Sequence, residues 1–192
     1  MIKSPVRRRR LICLLAVLML FGPLACWAVE GIHIRSADFV PVENGYALEA
    51  NFDIGLTTTL EDALVRGLTL VFTTEFELFY PRWWTFNVWD KTVTERRIEH
   101  RLSYNALTRQ YRLSSGALHQ SFDTVNAALA VLGRVRINPA VRSKDLEDDK
   151  VYTAVLRLHL DKARLPKPLQ VDALASHDWD LSSDWYRWTF RP

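Results

Sequence analysis

The chain has 192 residues and a formal net charge of +3, but its basic excess is confined to the first 28 residues. Five of the 25 basic side chains and none of the 22 acidic ones lie there, so residues 29–192 carry 20 basic against 22 acidic side chains, a net charge of −2. Both cysteines, Cys13 and Cys26, precede residue 29 as well. For residues 29–192 this composition argues against nucleic-acid binding through a basic surface, and it excludes disulfides and thiol catalysis.

The first 28 residues predict a signal peptide or an N-terminal membrane anchor. Four arginines at residues 7–10 run directly into the 19 almost wholly apolar residues Leu11–Val29, and Cys26 and Ala28 are small. This order of basic, apolar and small residues is typical of a secretory signal, and the apolar length is about that of a membrane-spanning helix. We therefore expect an exported, periplasmic protein. Three fates stay open: cleavage near Ala28 to a soluble form, lipidation at Cys26, or retention of residues 11–29 as a tether to the inner membrane.

Residues 29–192 are enough for a single domain with its own core, and their first half has mostly strand periodicity. Apolar residues alternate through residues 31–54 on either side of Asn44-Gly45, which predicts a β-hairpin with a tight turn. The capping-box spacing of Thr58 and Glu61, followed by Gly67, predicts a short helix. Residues 68–80 return to strand periodicity, and Pro81 is expected to end that strand.

The rest of the domain predicts four more strands and one more helix. Residues 93–104 and 108–113 are expected to form a second hairpin, and Asp123 is expected to cap a helix that extends to Leu132. The charged residues 142–150 predict an exposed loop, residues 151–161 a strand, and Leu165–Pro168 a stiff extended link. Trp185–Phe190 is the last predicted strand.

Because the strands follow one another rather than alternating with helices, the predicted fold class is α+β and mostly β. We expect an antiparallel sheet or a β-sandwich with two or three short helices packed at its side.

Two groups of aromatic residues are the strongest candidates for a binding site. The first group contains Trp83, Trp84 and Trp89, and the second contains Trp185 and Trp188 on either side of Arg187. Tryptophan rings stack on sugars, and tryptophan with arginine makes cation–π contacts or grips a protein partner. The alternative interpretation is core packing, although Trp83 and Trp84 cannot both point inward from one strand because neighbouring side chains alternate.

A third candidate is the basic hairpin that contains Arg109 and Arg112, which suits an anion or a phospholipid headgroup. The alternative is a solvated face whose arginines pair with Glu95 and Glu99. The five histidines have no paired ligand spacing, and no motif places a nucleophile beside a base. We therefore predict no metal, no cofactor and no catalytic residue.

Three long segments carry a resemblance to a known family. Ser103–Arg112, Leu165–Val171 and Leu181–Trp188 resemble the recurring motifs of an uncharacterised family of exported proteobacterial proteins, a DUF4390-like domain of unknown function. The resemblance implies an envelope location and a one-domain protein. It also implies genes that neighbour a membrane sensor kinase of the nitrogen-regulation type, and it names no activity, cofactor or catalytic residue.

Two hypotheses follow for function. The first is a non-catalytic exported envelope domain that binds a protein partner or the membrane surface, as an accessory to a membrane sensor kinase. The second is a cell-wall protein that binds or hydrolyses glycan through a tryptophan-rich surface. A pair of carboxylates facing a tryptophan-lined groove favours the second hypothesis, and a flat aromatic patch without carboxylates favours the first.

Overall fold

The computed structural model describes residues 30–80 and 91–192. The described residues form nine strands and three α-helices. In chain order these are β1 (Gly31–Val42), β2 (Gly45–Gly55), α1 (Thr58–Val65), β3 (Leu70–Tyr80), β4 (Lys91–Asn105), β5 (Gln110–Ser115), β6 (Leu118–Phe122), α2 (Val125–Leu132), β7 (Arg134–Arg142), β8 (Tyr152–Leu160), α3 (Lys167–Ala175) and β9 (Tyr186–Phe190). Short 3-10 turns at Ser143–Asp145, Lys162–Arg164 and His177–Trp179 connect the later elements. No helix among these described residues is long and apolar enough to span a membrane.

The strands form two antiparallel sheets that pack face to face. The smaller sheet has the order β1-β2-β7, and the larger has the order β6-β5-β4-β3-β8-β9. Each pair of neighbouring strands is antiparallel. This arrangement confirms the predicted fold class, an α+β, mostly β protein, in the form of a β-sandwich with three short helices.

The core lies between the inner faces of the two sheets. Strand β8 contributes every second side chain from Tyr152 to Leu160 to this core, and all of these are buried. The alternation of its sequence predicts this inner face. The smaller sheet reaches the larger one through Phe39 of β1, whose ring centroid lies 5.9 Å from that of Phe76 in β3. Apolar burial between two amphipathic sheets therefore holds the domain together.

Helix α1 closes one end of the sandwich. Its Leu60 and Leu64 are fully buried, and Gly67, with a φ of +89°, ends it while the Leu68 N–H donates to the Ala63 carbonyl at 3.0 Å. Thr57 caps the helix, because its hydroxyl accepts from the Leu60 N–H at 3.3 Å. The predicted helix and its glycine stop are thus confirmed, but the capping residue precedes the predicted Thr58 by one position.

The cap of α2 differs from the prediction in the same way. The Thr124 hydroxyl accepts from the Ala127 N–H at 3.2 Å, so Thr124 and not Asp123 is the N-cap. The Asp123 carboxylate instead accepts from the Gln110 side chain at 3.2 Å. Both residues belong to the preferred capping types, and the backbone turn decides between them.

The proline-rich segment Leu165–Pro168 was predicted as an extended link, and this prediction is wrong from Lys167 onward. Helix α3 begins at Lys167, and the Leu169 N–H donates to the Pro166 carbonyl at 2.9 Å. Proline is tolerated at the start of a helix because the first N–H groups have no helical acceptor. The prolines therefore begin a helix here.

Strands β6 and β7 were not predicted. In β7 the buried Val135 and Ile137 alternate with exposed arginines, but Pro139 interrupts the pattern. Proline is tolerated because β7 is an edge strand of the smaller sheet. In β6 the residues from Leu118 to Ser121 are all exposed, so the sequence has no apolar face to reveal the strand.

The registers place several elements at one end of the sandwich, which we call the entry end because the chain enters β1 there. Gly31 at the start of β1 pairs with Gly55 at the end of β2, and α1 crosses from that point to the start of β3. The turn at residues 106–109 lies at the same end, because Leu102, near the end of β4, pairs with Leu70 at the start of β3. Helix α3 follows from the end of β8, where the Asp161 N–H donates to the Val71 carbonyl at 2.8 Å.

The opposite end, which we call the far end, contains the β1–β2 turn and the C-terminus. The Ser143 N–H donates to the Asn44 carbonyl at 3.1 Å, so the exposed loop predicted at residues 142–150 folds beside that turn. Phe190, two residues from the C-terminus, pairs with Tyr152. The two ends of the sandwich therefore contain different elements of the chain.

Gly45 generates a stability prediction. Its φ is +147°, and a Cβ atom there would lie 2.1 Å from the Val141 carbonyl oxygen of β7. We expect Gly45→Ala to destabilise the domain by more than about 2 kcal/mol, because backbone strain and a steric clash act together. Gly116→Ala is the matched control, since that glycine also has a positive φ, +56°, but nothing lies within 4 Å.

Urea unfolding of both variants measures the difference. Gly116→Ala is expected to cost about 1 kcal/mol, the strain of a left-handed alanine alone. Equal losses for the two variants would contradict the close approach of β2 to β7.

Candidate functional site

Strand β9 forms an outer edge of the larger sheet and pairs only with β8 among the described strands. Its side chains alternate between the two faces. Trp188 and Phe190 point into the sandwich, where their ring centroids lie 5.7 Å and 4.3 Å from that of Phe39. Trp188, one of the tryptophans predicted to bind, therefore contributes to packing between the sheets.

Trp185 and Arg187 have the opposite orientation and lie on the outer face, where Trp185 is 49% exposed. Tyr186 is on the same face as Trp188, with 5.4 Å between their ring centroids, but it is still 40% exposed. The Arg157 guanidinium of β8 lies 5.4 Å from the Trp185 ring centroid, and the Arg187 guanidinium lies 5.6 Å from that of Phe79. We call Trp185, Tyr186, Arg187 and Arg157 the aromatic–arginine edge.

The segment just before β9 holds this edge in position. Ser183 binds the backbone of Leu158 twice, because its N–H donates to the Leu158 carbonyl at 2.8 Å and its hydroxyl accepts from the Leu158 N–H at 3.1 Å. The Arg157 guanidinium donates two hydrogen bonds to the Ser182 hydroxyl, at 2.9 and 3.0 Å. Arg157 is therefore held beside Trp185.

A partly buried charge cluster lies next to the edge on the same face. Glu75 of β3 pairs in register with Arg157 and accepts from Arg97 at 2.8 Å. His159 Nδ1 lies 3.9 Å from the second oxygen of Glu75. Burial lowers the pKa of His159, and the Glu75 carboxylate opposes that effect, so the imidazole is largely neutral at neutral pH. Glu75 thus serves as the partner of an arginine.

The basic hairpin predicted as a second site lies elsewhere on the molecule. Arg109 occupies the β4–β5 turn with a φ of +55°, and Arg112 is exposed on β5. Three strands, β4, β3 and β8, separate β5 from β9, which places the two strands about 19 Å apart at normal strand spacing. The structure therefore does not bring Arg109 or Arg112 to the aromatic–arginine edge.

Two of the arginines upstream of this hairpin, Arg97 and Arg101, are used in ion pairs. Arg101 lies 3.8 Å from Glu99, and the same carboxylate accepts from Arg164 at 2.7 Å. This partly matches the alternative interpretation of a solvated, paired face. Within residues 30–80 and 91–192, Arg109 and Arg112 make no such pair.

The first aromatic group, Trp83, Trp84 and Trp89, lies outside the described residues. Its flanking residues Tyr80 and Lys91 pair with each other at the far end of the sandwich. No three His, Cys, Asp or Glu side chains cluster as metal ligands in the part of the chain that the structure describes.

Sequence reasoning missed Arg157 and His159 as members of the site. The alternation of polar and apolar residues along β8 does predict that Arg157 and His159 lie on its solvent-facing side. Their proximity to Trp185 depends on β9 pairing with β8, and that pairing joins residues about 30 positions apart.

The fold and the edge define a mostly β sandwich domain that exposes aromatic and basic side chains along one outer strand. The model of the family described as Domain of unknown function (DUF4390) matches residues 29–189, so the chain belongs to that family. Searches of curated proteins and of solved structures gave no match.

The opposite orientations of Trp188 and Trp185 generate a prediction. Trp188→Ala is expected to destabilise the domain by about 2 kcal/mol or more, because it removes the ring that packs on Phe39. Trp185→Ala is expected to cost less than about 1 kcal/mol, because only an exposed cation–π contact is lost. Thermal and urea unfolding of the two variants measure this contrast, and an equal loss would overturn the assignment of faces.

His100 generates a prediction on pH. It lies on the inner face of β4 in a cavity lined by Leu113, Val131, Arg134 and His119 among others, and its Nδ1 has no hydrogen-bond partner. Burial lowers the pKa of His100, so the unfolded chain binds a proton more readily than the folded domain does. Stability is therefore expected to fall as the pH drops below about 6.5, the ordinary value for histidine.

The measurement is the urea midpoint at pH 7.5 and pH 5.5. We expect His100→Leu to show a smaller loss at pH 5.5 than the natural protein, because no proton is taken up on unfolding at that position. His33→Leu, at an exposed histidine of β1, is the matched control for replacing a histidine by leucine. An unchanged pH dependence in His100→Leu would refute the role of this imidazole.

Proposed function

We propose that the protein is a non-catalytic, exported envelope domain that binds a protein partner through the aromatic–arginine edge, as an accessory to a membrane sensor kinase. Residues 11–29 hold it at the inner membrane. The observation that carries this proposal is the edge strand β9, where exposed aromatic and basic side chains lie beside a strand backbone whose outer side pairs with no other described strand. Such an edge binds an extended segment of another protein by adding it to the sheet.

Other edges of the two sheets carry features that oppose strand addition. Strand β1 has a bulge between Ile34 and Ser36 and contains Pro41, and β7 contains Pro139. Strand β6 has polar residues at three of its five positions. Strand β9 has neither a proline nor a bulge, which favours it as the binding edge.

The charge of this edge indicates the chemistry of the partner. Arg157 and Arg187 form no ion pair with any residue of 30–80 or 91–192. An approaching segment with acidic side chains would supply carboxylates to both guanidinium groups. We infer that the partner presents an extended acidic segment, and the extracytoplasmic region of a sensor kinase is the candidate that the family resemblance suggests.

The geometry gives less support to a glycan-directed function. Trp185 lies on an open sheet face, and the carboxylate in its row, Glu75, is paired with Arg97. Glu75 is therefore engaged by an arginine and is not a free acid or base for glycoside hydrolysis in this row. Glycan binding is retained as an outcome that the following test can reveal.

Site-specific photocrosslinking in cells tests the proposal. A photoreactive amino acid replaces Trp185 in the full chain, and Arg112 on the same face but at the other side of the sheet is the matched control position. We expect one protein adduct from position 185 and none from position 112. Adducts to cell-wall glycan at position 185 would support the glycan function instead, and equal yields at both positions would refute a specific edge.

Charge reversal gives a quantitative prediction for the same edge. Arg187→Glu is expected to lower the yield of the position-185 adduct by about tenfold, because the new carboxylate repels an acidic partner. Arg112→Glu is the matched control and is expected to leave the yield unchanged. The two variants carry the same charge change, so a loss in both would point to nonspecific electrostatics.

A further inference from the structure

Exposed apolar side chains are concentrated at the entry end of the sandwich. Of the eight exposed large apolar side chains in residues 30–80 and 91–192, four lie there: Val65 at 53%, Leu107 at 97%, Val171 at 70% and Leu174 at 76% exposure. They come from three separate elements, the last residue of α1, the β4–β5 turn and helix α3. A single exposed leucine is ordinary, but their accumulation at one end indicates a surface that is covered in use.

Helix α3 supplies a defined apolar face at this end. Val171 and Leu174 are three positions apart and lie on the same side of the helix, while Ala173 is fully buried against the domain. Lys167 precedes Val171 by one helical turn and is exposed. The helix therefore buries one side in the domain and presents an apolar pair with a flanking cation on the other.

The chain that precedes β1 indicates what covers this surface. The 19-residue apolar segment ends at Val29, and only Glu30 separates it from Gly31 at the start of β1. Two extended residues reach at most about 7 Å. If residues 11–29 span the inner membrane, the entry end is held within that distance of the bilayer surface.

We propose that the entry end of the sandwich lies against the surface of the phospholipid bilayer. Val65, Leu107, Val171 and Leu174 enter the boundary between headgroups and acyl chains. The exposed cations Arg66, Arg109 and Lys167 extend to the headgroup phosphates. The inference rests on the tether in the proposed function and is independent of the aromatic–arginine edge.

Apolar contact rather than lipid charge drives this docking. The acidic residues Glu61 and Asp62 of α1 are exposed at the same end as the three cations. The two signs largely cancel, so bilayers with and without anionic lipid are expected to bind the surface similarly.

The test uses the full chain reconstituted in lipid nanodiscs, with a fluorophore on a single introduced cysteine. Cys13→Ser and Cys26→Ser provide the background, because residues 30–192 contain no cysteine. Labels at Val171→Cys and Leu107→Cys report on the entry end. The matched control is Val151→Cys, an exposed valine at the far end that is 36% exposed. Quenching by lipids with a nitroxide at the headgroup boundary is measured in phosphatidylcholine discs with and without phosphatidylglycerol.

We expect quenching at positions 107 and 171 to exceed that at position 151 by at least about threefold, with either lipid composition. Adding Val171→Asp and Leu174→Asp is expected to abolish the excess at position 107. The control Val151→Asp should leave it unchanged, and circular dichroism checks that each variant is folded. Equal quenching at all three positions, or an excess that survives the two aspartates, overturns the proposal.

Alkaline carbonate extraction of the same membranes separates this inference from the tether. Release of the chain would refute the tether, and the docked orientation would fail with it. Retention of the chain without excess quenching at positions 107 and 171 would refute the docked orientation alone. A protein adduct at position 171 in cells, without lipid quenching, would assign the surface to a protein and would also overturn the proposal.

Discussion

The structure depends on the apolar contact between its two sheets. With no cysteine in residues 30–192, no disulfide can join them. Phe39 is the centre of this contact, because its ring meets Phe76 of β3 and the Trp188 and Phe190 rings of β9. Tyr46 adds a further contact with Phe190 at 4.9 Å between ring centroids. The last strand of the chain is therefore secured by the first hairpin, and the domain is closed by contacts between its two termini.

The same packing constraint determines which side chains remain for binding. Because side chains alternate along β9, insertion of Trp188 into the sandwich obliges Arg187 to face outward. Arg157 and Trp185 lie on this same outer face. The Arg157 guanidinium donates to the Ser182 hydroxyl and lies over the Trp185 ring. Stability and recognition thus use alternate residues of one short strand, and a change in its register would disturb both.

The sequence predicts the elements whose residues alternate cleanly and misses those whose patterns are broken. Strand β8 was predicted with its faces correctly assigned, because buried Leu156 and Leu158 flank half-exposed Arg157. Pro139 concealed β7, and Pro166 and Pro168 suggested an extended link where α3 begins, since proline is compatible with an edge strand and with a first helical turn as well as with a linker. Composition alone drew attention to Trp185 and Arg187. Their contact with Arg157 is long-range in sequence, and local patterns contain no information about which strands become neighbours.

The two proposed surfaces are compatible because they occupy different parts of one sandwich. With the entry end on the bilayer, β1 leads away from the membrane and the far end is the most distant from it. Strand β9 lies along one side of the larger sheet, and its last residues point toward the far end. Its backbone edge is then directed sideways, parallel to the membrane surface, rather than into the bilayer.

A domain tethered in this proposed orientation would meet partners by diffusion in two dimensions. This raises the effective concentration of any membrane protein whose extracytoplasmic region offers an acidic strand. Under the proposed tethering a short edge strand would suffice, because the tether would supply part of the proximity that a larger interface otherwise has to provide.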